Sequence, residues 1–232
     1  MIRISPTTGL NLFKNCQRCF WLHYNKKLAR PRGIFPSLPI GMDTVIKEYF
    51  DKYRGKLPPE LTGRIDGILM PDTALMDKWR NWRTGLEYYD KELDAVLFGA
   101  LDDCLVDAGC YIPLDYKTKG SLPSNNEAEK YYQTQLDSYA LLLNSNGYKT
   151  KDSAYIVYYS PQKIERDGLV RFNINPFRLE TSLERIKNTF SDAVNLLKGN
   201  IPRQNQDCEY CNWFNRMADC KFKEIPRDLF EA

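Results

Sequence analysis

The sequence predicts a mixed α/β domain with one central sheet, helices on its faces and a helical elaboration before it. Three observations carry this expectation. Segments with helical spacing and segments with strand alternation interleave along the chain. The clearest strand pair, Phe98–Gly120, is followed by a long helical stretch and then by two more strands. Of the 232 residues 43% are apolar, which allows a sizeable core, and no internal repeat or low-complexity segment interrupts them.

Each element has a local reason. Ser5–Thr8 (SPTT) is a helix start, with a Ser or Thr cap and an early proline, and its helix runs towards Cys16. Arg30–Gly41 is rich in Pro and Gly and reads as a loop. Met42–Tyr53 has helical spacing at Val45, Ile46, Tyr49 and Phe50, and Ala74–Tyr89 is a second candidate helix. The Phe98–Gly120 hairpin turns at Ala108-Gly109. Ser124 and Asn125 cap a helix of about Asn126–Asn144 that stops at Asn146-Gly147. Ala154–Ser160 and Leu169–Asn175 are strands, Thr181–Lys198 is an amphipathic helix, and the chain beyond Ile201 is cysteine-rich. The expected organisation is a single domain over residues 1–232: a helical part (1–95), a core (96–180), and a C-terminal helix with its cysteine tail (181–232).

A net charge of +3 neither demonstrates nor excludes a nucleic-acid partner, because a local basic groove fits within a balanced total. The chain has one histidine, His23, which weighs against a histidine triad or a polyhistidine zinc site. The N-terminal stretch lacks the apolar region of a signal peptide, and no run approaches the roughly 18 apolar residues of a membrane span. A cytoplasmic location is expected, with no membrane partner. The seven cysteines are then reduced thiols or metal ligands rather than disulfides.

The hairpin gathers more charge than a hairpin needs. Side chains alternate faces along a strand, so Asp115 and Lys117 share one face and Tyr116 points the other way. With a two-residue turn, Asp102 lies opposite Asp115, and Asp102, Asp115 and Lys117 converge on one patch. Asp103 then points away and is expected to be dispensable for any chemistry there. A three-residue turn would shift the register by one. Two carboxylates and a lysine suit metal-dependent phosphodiester hydrolysis. Mg²⁺ prefers oxygen ligands, acidifies a bound water and neutralises charge building on a phosphate, while a nearby lysine orients the water or stabilises the transition state. An isolated acid-x-Lys is more often a solvated cross-strand pair.

The fuller pattern resembles the PD-(D/E)xK nuclease superfamily, in its RecB-like branch of CRISPR-associated exonucleases and recombination nucleases. The residues that carry the resemblance are Gly99-Ala-Leu-Asp102, Asp115-Tyr-Lys117, and Gln135-Leu-Asp-Ser-Tyr139 on the following helix. It implies a restriction-endonuclease-like fold, with a central mixed sheet flanked by helices. It also implies a metal-dependent deoxyribonuclease using Mg²⁺ or Mn²⁺, exonucleolytic on single-stranded or frayed DNA, in repair, recombination or CRISPR adaptation. Proteins of those pathways become candidate partners. Asp102, Asp115 and the carbonyl of Tyr116 would hold the metal, and Lys117 would act on the water or the transition state. Gln135 would position the lysine or the water, and Tyr139 would touch the nucleic-acid backbone. Gln135 and Tyr139 lie one helical turn apart and so share a face, with Tyr132 beside them. Gly63-Arg-Ile-Asp66 also fits G-x-x-D, but no acid-x-Lys follows it at hairpin distance, and Asp66 reads as a turn residue. The branch often carries a histidine ligand on a helix before the hairpin. Here Val45 stands four residues after Gly41, so Glu48 or a water would replace that ligand, or the metal would bind more weakly. The rival reading is a non-catalytic DNA-binding or adaptor module that keeps the fold.

Near the C-terminus, Cys208-x2-Cys211-x8-Cys220 is a strong metal signature for reduced thiols. A fourth thiolate is needed, and Cys16 or Cys19 of NCQRCFWL can supply it. The same branch includes members with one N-terminal and three C-terminal cysteines around a 4Fe–4S cluster that staples the chain ends. That resemblance implies Cys16, Cys208, Cys211 and Cys220 as the set, with Cys16 preferred over Cys19, and Zn²⁺ as the alternative to the cluster. Cys104 and Cys110 read as small apolar residues of the hairpin. Asp77–Gly85 interleaves Trp79 and Trp82 with Arg80 and Arg83; this suits single-strand stacking, but an amphipathic helix burying both tryptophans is the preferred reading. Lys119 and Lys130 add positive charge around the proposed centre, and Lys119 shares the face of Lys117.

Overall fold

The structure, a computed structural model, describes residues 1–31, 33, 37–124 and 126–219. Among these residues the strands are β1 (Ile2–Ile4), β2 (Ile68–Leu69), β3 (Leu86–Asp90), β4 (Ala95–Gly99), β5 (Asp103–Asp107), β6 (Cys110–Thr118), β7 (Ala154–Ile164) and β8 (Val170–Leu179). The helices are α1 (Asn11–Asn15), α2 (Gln17–Lys26), α3 (Ser37–Asp51), α4 (Thr73–Arg80), α5 (Glu127–Ser145), α6 (Leu183–Lys198) and α7 (Glu209–Asp219). The central sheet has the order β2-β5-β6-β7-β8, and a second sheet has the order β1-β4-β3. Both are mixed: β6 runs parallel to β7, and β1 parallel to β4. A parallel pair needs a crossover, and α5 supplies it between β6 and β7. The expected α/β class therefore holds, with a second small sheet added. The part before residue 96 is less helical than expected, since β1, β2 and β3 all fall within it.

The hairpin register is the two-residue one. Asp107 faces Cys110 and Asp103 faces Leu114 across β5 and β6. The turn residues Ala108 and Gly109 have φ of 48° and 76°. This is the twist that tight hairpins favour, free of steric cost at Gly109. The first strand is shorter than expected. Phe98 and Gly99 belong to β4 in the other sheet, and the chain changes sheets across residues 100–102. The buried Leu101 pins that bend, and its N–H donates to the Trp79 carbonyl at 3.0 Å.

Other elements also depart from their predicted bounds. The helix expected over Ala74–Tyr89 ends at Arg80, where Asn81 takes extended backbone, and Leu86–Asp90 pairs with β4 instead. Strand pairing thus overrides the helical spacing read there. Asp72 caps this helix by accepting from the Leu75 N–H at 2.9 Å. α3 begins at Ser37, inside the predicted loop, because Pro39 falls in a first turn whose N–H groups have no partner in any case. A π-helical turn (Pro6–Leu10) leads into α1, and Cys16, with φ −159°, breaks the chain before α2. Neither α2 nor α7 was foreseen. The Trp21 indole and the Asn25 amide on α2 donate to the Gly199 and Leu197 carbonyls at 2.9 and 3.0 Å, tying α2 to the end of α6.

Two apolar layers sandwich the central sheet. On one face Leu105, Ile112, Leu114, Tyr116, Tyr155 and Val157 meet Ile46 and Phe50 of α3. On the other face Cys104, Ile156 and Tyr158 meet Leu136 and Tyr139 of α5. α5 also touches β3 and β4, so one helix spans both sheets. Cys104 is in the core as predicted, while Cys110 is half-buried.

Candidate active site and cysteine cluster

The sheet change places Asp102 just before β5, beside the end of β6 that carries Asp115 and Lys117. Asp115 is fully buried, and Lys117 Nζ lies 2.7 Å from its Oδ2 and 3.6 Å from Asp102 Oδ2. Three of the residues picked from the hairpin pattern therefore converge as expected. Lys117 also lies over the Tyr132 ring, 5.6 Å from its centroid.

The two carboxyl groups are coupled, and their titrations separate. Burial pushes Asp102 up, but the hydrogen bond with Asp115 and the ammonium groups of Lys117 and Lys47 outweigh it and hold Asp102 at about 2. Burial drives Asp115 well above the usual carboxylate range, Lys117 opposing and the Asp102 charge adding to it. Burial disfavours the Lys117 ammonium, yet Asp115 and Asp102 raise it above an ordinary lysine. The two titrations are thus driven apart, down at Asp102 and up at Asp115, and a divalent cation would supply counter-charge to both. Asp115 Oδ2 is buried and receives no directed hydrogen bond despite its ion pair with Lys117. Such an oxygen beside a part-exposed carboxylate fits a hard cation that keeps several waters.

Asp103 points away, as predicted, into a buried network. Arg54 bonds both its oxygens at 2.7 Å, and Arg80 bonds Oδ2 at 2.9 Å. Both guanidinium groups also grip Asp51. Arg80 Nε then donates to the Asp102 carbonyl at 2.9 Å, so the network fixes the backbone that presents the candidate ligand. Arg54, Arg80 and Asp51 were not singled out from the sequence, where separated charges carry no pairing signal.

On α5, Gln135 Nε2 donates to the Tyr139 hydroxyl at 2.7 Å. Both side chains are buried, at 4% and 5% exposure. Tyr139 therefore has no route to a nucleic-acid backbone, which corrects that expectation: the α5 stripe turns it inward to the sheet. Burial, then the charges of Asp115 and Asp102, push its phenol well up, so it remains a protonated donor near the carboxylates. The Tyr116 ring packs on Phe50 on the opposite face, 5.5 Å between centroids. Lys119 pairs with Glu127 at the start of α5. Asp66 accepts from the Tyr155 hydroxyl at 2.8 Å in its turn before Gly67, as its turn role requires. Trp79 is buried but Trp82 is 69% exposed, so only one of the two tryptophans enters the core. Val45 and Glu48 are both exposed on α3.

The second centre joins the chain ends. The Sγ atoms of Cys16, Cys19, Cys208 and Cys211 lie within 4.8 Å of one another. Cys19 thus joins Cys16 in the group, and Cys220 lies outside the described residues. Three sulfur pairs are 3.6, 3.6 and 3.8 Å apart. A tetrahedral ion with Zn–S bonds of 2.3 Å sets its ligand sulfurs about 3.8 Å apart. Burial raises the Cys16 thiol, but backbone N–H groups at Asn205 and Cys19 and the neighbouring thiols outweigh it and bring it down to about 6. Burial pushes Cys19 and Cys211 up, with Arg30 opposing at Cys19. Arg30 Nη2 donates to Cys208 Sγ at 3.2 Å and stacks over the Tyr210 ring, bringing one positive charge to the cluster.

The profile of the PD-(D/E)XK nuclease superfamily matches residues 3–216. This chain belongs to the PD-(D/E)XK nuclease superfamily. A comparison with curated proteins returns no match. Membership fits a chain in which two acids and a lysine meet at one end of a mixed sheet. It implies a nuclease that uses divalent metal and acts on nucleic acid. No helix among the described residues is long and apolar enough to cross a membrane.

Proposed function

We propose that this chain is a metal-dependent deoxyribonuclease of the RecB-like branch that hydrolyses DNA from single-stranded or frayed ends. The observation that carries the reading is Lys117, held at 2.7 Å from a fully buried Asp115 and 3.6 Å from a part-exposed Asp102. A purely structural ion pair needs one acid; here two share a lysine at a solvent-facing strand end. Asp102 and Asp115, with the Tyr116 carbonyl, would hold Mg²⁺ or Mn²⁺. When bound, such a cation acidifies water and offsets charge developing on the phosphate. Lys117 presents its ammonium beside the carboxylates, where it orients the attacking water and stabilises the transition state. Gln135 and Tyr139 support the carboxylates from behind. The pathway, repair and recombination or CRISPR adaptation, rests on the resemblance alone, and a cytoplasmic location rests on the sequence reading.

The cysteine cluster is proposed as a structural staple. Its sulfur spacing favours one tetrahedral ion, Zn²⁺, held by Cys16, Cys19, Cys208 and Cys211. A 4Fe–4S cluster places four irons between its ligands and would need these sulfurs farther apart.

The test uses the full chain and DNA labelled at either end: single strands, blunt duplex, frayed duplex and closed circles, each with Mg²⁺, Mn²⁺ or EDTA. Metal-dependent release of short products from ends supports the reading. Cleavage of closed circles would replace exonuclease by endonuclease. DNA binding with no cleavage under any metal would favour the adaptor reading.

A further inference from the structure

Helix α3, on the sheet face opposite Asp115, brings a second lysine to Asp102. On α3, Asp43, Ile46, Lys47 and Phe50 fall three and four residues apart and share one stripe. Ile46 and Phe50 are buried, which fixes the rotation of the helix and carries Asp43 and Lys47 to the margin of the packed face. Lys47 Nζ lies 2.8 Å from Asp43 Oδ2 and 3.2 Å from Asp102 Oδ1. Its ammonium also approaches the Tyr116 ring, 6.0 Å from the centroid. Lys117 takes the other Asp102 oxygen. Both oxygens of the proposed ligand are thus covered by lysines.

A helical pair four residues apart accounts for Asp43 with Lys47, but not for the reach of Lys47 to Asp102 from another element. A divalent cation on Asp102 would sit beside an ammonium whichever oxygen it took, and like charges at that range repel. Lys117 is anchored on buried Asp115. Lys47, with a side chain 26% exposed, has a flexible four-carbon stem and a second anchor in Asp43, itself 39% exposed. Lys47 is therefore the one that gives way.

We propose that Lys47 is a displaceable cation of the active site: it holds Asp102 until a divalent metal arrives, then, tethered by Asp43 at the mouth, contacts a phosphate oxygen of the DNA strand. This rests on the nuclease reading of the carboxylates. The charges agree with it. Asp43 and Asp102 flank Lys47, Asp102 and Asp115 flank Lys117, and a metal brings positive charge that releases one lysine for an anionic substrate.

The test compares wild type with Lys47→Met, which keeps length and removes charge, and with Lys47→Gln should the first fail to fold. Mn²⁺ binding to the full chain without DNA is followed by electron paramagnetic resonance. Single-strand binding is measured in Ca²⁺ across a salt series. Without Lys47, Mn²⁺ should bind several-fold tighter, and the slope of log affinity against log salt should become shallower by about 0.7, the loss of one single-strand phosphate contact. Unchanged or weaker Mn²⁺ binding, or an unchanged salt slope, overturns the proposal. Asp102→Asn separates the two readings. If it abolishes Mn²⁺ binding while Lys47→Met has no effect, only the role of Lys47 fails. If it binds Mn²⁺ as wild type does, the assignment of the metal site fails and the proposal with it.

Discussion

Replacing Asp103 with alanine should destabilise the protein strongly, although the residue makes no contact with the proposed chemistry. Asp103 is fully buried between Arg54 and Arg80, whose side chains are 7% and 10% exposed. With Asp51 the group holds two acids against two guanidinium groups. It also receives the Cys104 N–H at 2.8 Å. Asp103→Ala leaves one surplus buried positive charge, and breaking such a pair typically costs about 3–5 kcal/mol. A chain of this size loses about 2–4 °C of melting temperature per kcal/mol, so a fall of roughly 6–20 °C is expected. Urea unfolding should give the same loss at an unchanged slope. Asp103→Ala combined with Arg54→Met removes the surplus charge and should recover part of the loss, a non-additivity expected within one network. Arg80 also holds the Asp102 carbonyl, so cleavage should weaken below the melting temperature as well. A melting temperature for Asp103→Ala within about 2 °C of wild type would refute the argument that the network is intact and buried.

Lys117→Ala should lower DNA cleavage by about 10²–10³ while far-ultraviolet circular dichroism stays unchanged; wild-type rates would remove Lys117 from the site. Cys19→Ser should release the metal of the staple and lower the melting temperature, whereas Cys104→Ser, in the apolar core, should leave metal content unchanged. Elemental analysis of the purified chain should give about one zinc and no iron; iron with sulfide in the native protein would replace the single ion by a cluster. Burial pushes the Asp51 carboxyl up, but Arg80 and Arg54 outweigh it, so its pKa is lowered on folding. Its contribution is present above the unfolded value of about 3.9 and is lost as pH falls through the folded value. Asp51→Asn should therefore flatten the acid side of the stability profile below about pH 4; parallel profiles for mutant and wild type would show that Asp51 carries no such linkage.

What the sequence made legible was local. The hairpin turn, its register and the shared face of Asp115 and Lys117 follow from strand alternation and a two-residue turn, and β5 and β6 pair that way. The helix bearing Gln135 and Tyr139 was legible from its period, and its crossover role from the two strands that follow. Illegible features all depend on contacts between distant segments. Leu86–Asp90 joins a sheet through β4, a partner that helical spacing cannot reveal. The Arg54–Arg80–Asp103–Asp51 network unites three elements, and no short motif links them. Cys19 enters the cluster because α2 begins at Cys16 and places the next thiol one turn on, beside Cys208 and Cys211. Without α2 in the sequence reading, the choice between the two cysteines had no geometric basis.

The glycine of the Gly99-x-x-Asp102 pattern has a packing cause. A Cβ built at Gly99 would come within 3.0 Å of Leu142 Cδ1 and 3.5 Å of Pro6. Leu142 is on α5, one buried stripe with Leu136 and Tyr139, and Pro6 opens the turn that leads into α1. A side chain here would press on Leu142 and touch Pro6, so glycine favours this close approach of β4. From there the chain needs two residues to change sheets and present Asp102. The same helix is also held near its start, where Lys14 Nζ on α1 donates to Thr134 Oγ1 at 3.0 Å, one residue before Gln135. α1 in turn ends at Cys16, inside the cysteine cluster. A continuous set of contacts thus runs from the cysteine cluster through α1 to α5, which packs on the strand that carries Asp115 and Lys117. The proposed staple would act through this path: a metal on the four cysteines would hold α1 against α5, so the two proposed centres would share one support.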